Sequence, residues 1–460
     1  MKRIGIFSFF TALLFISNVA FASEVDVLLQ KLVEKGILSA SEAQEIRTET
    51  NEEIAKTDKQ KIEDYKQLAK DSLPDWVKNT KLKGDLRLRY AYNHPDANNG
   101  LTNDTQRGRI RLRMGFETQI NDKVTVAAGL ATGLASPNDN PYNATVGNLT
   151  RDYARSANQT FTGAFSKKPI DLDYAYATYA PTKWFSFSGG KLINPFWDPE
   201  GKFVWDDNIR PEGAMTIFSK SWDSHLDTFL NAGYLMLDQN SNDHDAPMLY
   251  AFQPGLKYTF NDQFALKGAF SYYNWANVKG HFLQGGSYDS SLHNAYGNTR
   301  DANGNLVYGY NSLIPQVEFS VNHPLSMLNL DSMGLGFLDV PYFSLFGEYL
   351  KNTEIPDDKN SSGYVAGFKF GSPSINKWAD WQFQYDFRRL ERDAIPDILP
   401  DADFYNSIAG GTTGVTGSRF VLQYGLSKNN WLAFNVFRDE KIDSPRLPET
   451  TFYADWNLKW

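Results

Sequence analysis

The chain has 460 residues, no cysteine and a formal net charge of −8. Without cysteine it has no disulfide and no thiol-based metal or redox chemistry, and the acidic balance argues against nucleic acid as a partner. Aromatic residues make up 15% of it, with 11 Trp, 24 Tyr and 32 Phe, against a mean hydropathy of −0.46. So polar an average with so many rings suits a wall with a wet interior and aromatic rims.

Residues 1–22 read as a secretory signal peptide. Lys2 and Arg3 form the charged start, Ile4 to Ile16 the apolar core, and Ala20-Phe21-Ala22 a small-x-small cleavage site. Cleavage leaves 44 basic against 54 acidic residues, a net −10. No later stretch offers the ~18 uninterrupted apolar residues of a transmembrane helix.

Residues 23–75 are polar, Gly-poor and rich in Glu, Lys, Gln and Ala. Val27, Leu28, Leu32 and Val33 recur at helical spacing, Gly36 stops that helix, and Ser39 with Glu42 predicts a capping box that opens a second. Ile46, Ile54, Ile62, Tyr65 and Leu68 give the second helix a stripe too thin for a core. It suits either a trimerising coiled coil or a solvated periplasmic linker.

Residues 76–460 read as strand, short turn, strand, long loop. Sixteen strands are predicted, the first near Leu82 and Arg107, the last near Trp431 and Thr451. Asn121-Asp122-Lys123, Pro181-Thr182-Lys183, Asn261-Asp262-Gln263 and Ser427-Lys428-Asn429-Asn430 are tight turns. Long loops fall near 135–169, 193–211, 274–311 and 389–416. This alternation predicts an all-β, antiparallel transmembrane β-barrel with both termini periplasmic. The segment 323–340 is too long for a turn, so a hidden strand there would raise the number to eighteen. A soluble sandwich of this length would split into domains, and no linker follows Lys81.

In the last strand Phe452, Ala454, Trp456, Leu458 and Trp460 share one face, and Thr451, Tyr453, Asp455, Asn457 and Lys459 the other. The same parity puts Arg87, Arg89, Arg107, Arg109, Arg111, Arg113 and Glu117 opposite the apolar face of the first two strands. Arginine at mid-depth in lipid costs about 2–4 kcal/mol, so these residues are expected to face a watery lumen. Glu318, Glu348, Asp386, Arg388 and Arg419 fall on lumen parity in later strands. A ladder of arginines facing carboxylates sets up a transverse field that orients polar solutes; alternatively the charges only pair and stiffen the wall.

Two loops are candidates for an inward constriction. Residues 194–214 mix aromatics, prolines and acids, and would bring Asp198, Glu200, Asp206, Asp207 and Arg210 to the eyelet. The rival, 135–169, carries Arg151, Arg155, Lys167 and Lys168. No Ser-His-Asp spacing or metal-ligand cluster stands out among six His, so no enzymatic activity, cofactor or resident metal is expected.

Together, Leu32 to Ala43, Leu73-Pro74-Asp75-Trp76, Leu82 to Tyr90, the Arg107 to Arg113 run, Ser166 to Tyr176, Asn194-Pro195-Phe196 and Trp205-Asp206-Asp207 carry a resemblance. The chain resembles the putative porins of Gram-negative outer membranes over nearly its whole length. That resemblance implies a porin-like barrel and passive transport, without naming a solute. Trp460 stands where such barrels more usually end in Phe, and as a large aromatic it is expected to serve the barrel-assembly machinery. The expected function is passive diffusion of small hydrophilic solutes through a weakly anion-preferring pore. The alternative is a plugged barrel acting as an adhesin or binding protein through its loops. The expected partners are outer-membrane lipid and lipopolysaccharide, the barrel-assembly machinery through the C-terminal strand, and further copies in a homotrimer.

Overall fold

A computed structural model describes residues 27–71, 74–96, 104–133, 156–161, 164–199, 201–238, 245–283, 288–289, 294–295, 297–326, 340–356, 360–405, 413–443, 446 and 448–460. The expected signal peptide lies outside them. The chain forms two compact units, Met1–Lys78 and Asn79–Trp460.

In the first unit a helix over 27–34 ends at Gly36, whose φ of +71° is the left-handed stop that glycine adopts freely. The capping box follows. Ser39 N–H donates to Glu42 Oε2 at 2.8 Å, and Glu42 N–H donates to Ser39 Oγ at 3.2 Å. The helix Ala40–Asp71 then runs for 32 residues, and a single turn, Asp75–Lys78, ends the unit. Ile46 on the long helix is exposed. The side chains of Ile54, Ile62, Tyr65 and Leu68 lie outside the described residues.

In the second unit the strands are β1 Thr80–Pro95, β2 Thr105–Asn121, β3 Val124–Thr132, β4 Ile170–Thr182, β5 Phe185–Lys191 and β6 Glu212–Ser221. They continue as β7 Leu226–Met236, β8 Met248–Thr259, β9 Phe264–Ala276, β10 Tyr310–Asn322 and β11 Tyr342–Asn352. The last are β12 Ser362–Gly371, β13 Trp381–Leu390, β14 Val415–Ser427, β15 Asn430–Lys441 and β16 Glu449–Lys459. Among the described residues 17 strands form the main sheet, one of them the two-residue Gln159–Thr160, which pairs with β2. The other sixteen are antiparallel neighbours in chain order, and β1 pairs with β16 as well as β2. The barrel is closed at sixteen strands, and the described part of 323–340 adds none.

Local chemistry explains the tight end. Asn121 Oδ1 accepts from the Lys123 and Val124 N–H groups at 2.9 and 3.0 Å. Asn261 does the same for Gln263 and Phe264, and Asp223 for His225 and Leu226. These side chains mimic a backbone turn and release the chain into the next strand. The long connections lie at the opposite end.

The outer face is apolar and open, as a lipid-facing wall requires. Leu82, Met114, Phe116, Leu130, Leu256 and Leu422 are exposed there. Rings edge it at both levels, with Trp184 stacked on Phe218 and Phe370 against Trp381 at the tight end, and Tyr234 against Tyr250 at the other. The C-terminal Trp460 exchanges both backbone hydrogen bonds with Gly84 at 3.1 Å. A Cβ on Gly84 would lie 2.4 Å from the Trp460 ring, so only glycine admits that ring.

Strict parity breaks once in a way that matters inside. Between β3 and β4 the register slips at Gly129 and Leu130, leaving Asp173 as the extra residue. Beyond it Tyr174 lies over Gly129 and Gly115, where any Cβ would collide with its ring or hydroxyl.

The seam joins the ends of the barrel chain. Arg89 on β1 donates to both carboxylate oxygens of Asp455 on β16, at 2.7 and 2.9 Å, across 366 residues of sequence. Its guanidinium also lies 4.0 Å from the centre of the Tyr453 ring. Arg89→Ala leaves Asp455 buried and uncompensated, an expected cost of about 3–5 kcal/mol. Urea unfolding of the folded barrel measures it; a loss under ~1 kcal/mol would mean the backbone ladder alone holds the seam.

Loops folded into the lumen form the candidate functional site

The connection between β5 and β6, residues 192–211, turns into the barrel because its rings need burial. Phe196, Phe203, Val204, Trp205 and Ile209 are all buried. Phe196 stacks on Trp205 at 5.8 Å, and the Trp205 indole N–H donates to the Tyr273 hydroxyl of β9 at 3.0 Å. Inward polar side chains hold its backbone. Gln253 of β8 accepts from Trp197 N–H at 2.8 Å and donates to Trp197 O at 2.7 Å. Asn231 donates to Pro195 O at 3.0 Å, and Lys369 to Pro199 O at 2.7 Å. Asp198 caps the bend, accepting from Gly201 N–H at 2.7 Å, where φ is +101°.

A second loop, 391–405 between β13 and β14, enters beside it. Ala394, Ile395 and Leu399 join one apolar cluster with Phe203, Trp205 and Tyr273, together with Leu283 and Leu306 from the connection between β9 and β10. Main-chain bonds tie the two inward loops, from Asp206 N–H to Leu399 O at 2.8 Å and from Asp401 N–H to Lys202 O at 3.3 Å.

Charges line the remaining inner face. Across β1 and β2 the register sets Arg87 opposite Arg111 and Arg89 opposite Arg109. Asp85 pairs with Arg111 at 2.9 Å and with Arg113 at 2.7 Å. Asp207, from the first loop, stands 3.9 Å from Arg111, and Asp403, from the second, 3.0 Å from Arg89. On the far side Asp386 pairs with Arg419 at 2.9 Å and Arg388 at 3.6 Å. Beside the first loop a cavity of about 480 Å³ lies against β3 to β8, where Arg210 pairs with Asp173 at 3.2 Å and Lys191 with Glu212 at 2.6 Å.

Residues 91–314 and 344–460 match the family described as "Putative porin". The chain belongs to this porin family. It is an outer-membrane protein. Among solved structures it is similar to a triple mutant of Rhodopseudomonas blastica porin, with 10% identity, a TM-score of 0.40, and coverage of 83% of this chain and 100% of that one. It is also similar to a tryptophan-substituted mutant of the same porin, with 11% identity, a TM-score of 0.41 and the same coverages. No curated protein matches the chain.

In the porin barrel every arginine expected on the first two strands lies on the inner face, but not as a ladder open to water. Arg87, Arg89 and Arg111 are buried beneath the two loops and the Asn158 segment, and Arg107, Arg109 and Arg113 are partly buried. Glu117 accepts from Lys83 at 2.6 Å towards the tight-turn end. Glu348, Asp386, Arg388 and Arg419 are buried inside, whereas Glu318 stays partly open and accepts from the Tyr342 hydroxyl at 3.1 Å. Asp198, Asp206, Asp207 and Arg210 all lie on the inward loop, where Arg210 donates to Asp207 O at 2.9 Å and Asp198 serves the bend at Gly201; Glu200 lies outside the described residues. Of the rival loop, Asn158 reaches the arginines, accepting from Arg87 at 2.7 Å; Arg151 and Arg155 lie outside the described residues. Among those residues no group of three or more His, Cys, Asp or Glu is placed to hold a metal.

Lys202, Asp401 and Asp403 were not singled out in the sequence. The available signal was a loop carrying Ile395, Ile398, Leu399 and Phe404 among its acids, a mixture that a solvated loop does not need. Lys202 Nζ stands 3.5 Å from Asp207 and 3.8 Å from each of Asp401 and Asp403. Ala402 N–H donates to Asp206 at 3.0 Å. Burial opposes the Lys202 charge, but Asp207, Asp401 and Asp403 outweigh it and raise the ammonium above its ordinary value. Burial, then Asp207, pushes the Asp206 carboxyl up, and burial also raises Asp401. For Asp207 partial desolvation is overcome by Lys202 and Arg111, and for Asp403 burial is overcome by Arg89 and Lys202; both are held below the carboxylate range.

The signs decide the pH behaviour. A carboxyl raised on folding favours the closed loops in acid, and that contribution fades as pH rises through the raised value. A carboxyl lowered on folding contributes above the ordinary range and fails only in stronger acid. Lys202→Met removes the cation these four carboxylates share. The loops should lose about 3 kcal/mol of local stability at neutral pH and regain it as Asp206 and Asp401 take protons. Hydrogen exchange of 192–211 and 391–405 reads this: protection unchanged at neutral pH would show that the apolar cluster alone holds the loops.

Proposed function

We propose that this barrel is a porin for passive diffusion of small hydrophilic solutes, weakly preferring anions. The observation that carries this reading is the meeting of Asp207 with Arg111 at 3.9 Å, the carboxylate side chain still 39% exposed while the arginine is 8%. An acid on an inward loop meets a basic wall with its carboxylate still open to solvent, the arrangement that produces a transverse field. Arg113, with 20% of its side chain exposed, and Arg210 extend the charged rim towards the cavity against β3 to β8. Solutes would move down their own gradients, the protein supplying a hydrated gap and a charge filter. We further read the barrel as non-enzymatic, oriented with both termini in the periplasm, and trimeric, the long N-terminal helix serving as coiled coil or linker after removal of the signal peptide. The terminal strand ending in Trp460 would address the assembly machinery, and the open apolar face would meet lipid and lipopolysaccharide.

A second reading also has an observation in its favour. The interlocked loops build an apolar cluster inside the lumen, which is what a plugged barrel acting through its outer surface would contain. Planar-bilayer recording separates the two. Discrete steps with an anion-favouring reversal potential in a salt gradient are expected of the porin, whereas a silent, well-folded barrel would replace it with the plugged one. In a conducting barrel, Arg109→Ser, Arg111→Ser and Arg113→Ser together should move the reversal potential towards cations. An unchanged potential would remove the arginine wall from the filter.

A further inference from the structure

The arginines of β1 and β2 outnumber the carboxylates that answer them. Arg89, Arg111 and Arg113 pair with Asp455, Asp403, Asp85 and Asp207. Arg87, Arg107 and Arg109 have no carboxylate within 4 Å among the described residues; Arg87 donates only to the neutral Asn158 amide. Six arginines thus stand against four carboxylates, two of which, Asp207 and Asp403, also answer Lys202. Among the described residues the Nε atoms of Arg87, Arg107 and Arg109 are each buried without a hydrogen-bond partner.

Backbone register brings two of them together. Arg107 and Arg109 are alternate residues on one face of β2, about 7 Å apart along the strand. Arg87, whose own partner is Arg111, stands four residues along the strand from Arg107. Opposite Arg107 is Ala91, whose single methyl leaves the guanidinium unopposed by a second long side chain. Buried guanidinium donors without acceptors are costly in a low-dielectric interior, and in folded proteins such donors find an ion or water. Guanidinium forks match the oxygens of phosphate, sulfate or carboxylate two at a time.

We propose that Arg107 and Arg109 form a saturable site for a small dianionic oxyanion. Two guanidinium groups with no carboxylate within 4 Å select two negative charges, and the unpartnered Nε donors select oxygen acceptors over a bare halide. The site rests on the porin reading for the route by which an anion reaches it. It turns a weak anion preference into retention of one class of solute on the way through.

Titration calorimetry of the folded full-length barrel, with sodium phosphate added at constant chloride and near pH 8, tests the site directly. Succinate in a parallel run separates a phosphate-shaped site from a general dianion site. Saturable binding is expected, at least about tenfold weaker in Arg107→Gln/Arg109→Gln, the loss of charged hydrogen bonds. Should that variant not fold, Arg107→Lys/Arg109→Lys keeps the charge, loses the forks, and should still weaken binding. Absence of saturable heat, or equal affinity in the variants, overturns the site. Bilayer recordings keep the two failures apart. A conducting barrel with no phosphate binding removes the site and keeps the porin. A barrel that binds phosphate but passes no ions keeps the site and removes the route.

Discussion

Like charges face each other across the first two strands, and the interior is organised around that constraint. Arg87 opposes Arg111 and Arg89 opposes Arg109 in register, pairs that repel on their own. Turned outward they would meet lipid, which is worse. Turned inward they need counter-charge, and among the described residues the neighbouring strands supply Asp85 and Asp455. More comes from Asp207 and Asp403, on two loops that cross into the lumen. The wall and the loops are therefore one electrostatic unit.

Charge alone does not hold those loops. Each carries rings and aliphatics that bury against the inner face, and polar side chains such as Gln253 and Asn231 satisfy the backbone they bring in. The barrel thus meets two environments by two means. Outside, the backbone ladder and exposed apolar side chains suit lipid; inside, a packed core shares space with ion pairs. Lys202 lies where the two means meet, joined to carboxylates of both loops.

This packing divides the lumen in two. The side against β3 to β8 keeps the cavity and its ion pairs, while the β1 and β2 side is crowded with covered arginines. On the proposed reading a solute path along the first and a charge field from the second are compatible, because a field acts at a distance that contact does not require. The same crowding leaves the Nε atoms of three arginines without an acceptor among the described residues.

Much of this was legible from residue order. Two-residue alternation identified the faces of β1, β2 and β16, Asn and Asp turns identified the tight end, and the capping box at Ser39 appeared as expected, because each depends on neighbours a few residues apart. The aromatic, acidic segment 194–214 was one of two candidates for an inward fold, because it carries rings a surface loop would not need. Parity could not foresee the bulge at Asp173, where one extra residue resets the face of Tyr174. Nor could it show that Asp403 and Asp455 would meet Arg89 from 314 and 366 residues away. Sequence alone determined the strands and which way they face, since those follow from local periodicity and the cost of charge in lipid. Only the tertiary structure decided which carboxylates answer which arginines, because that follows from barrel closure and loop docking, which no local pattern records.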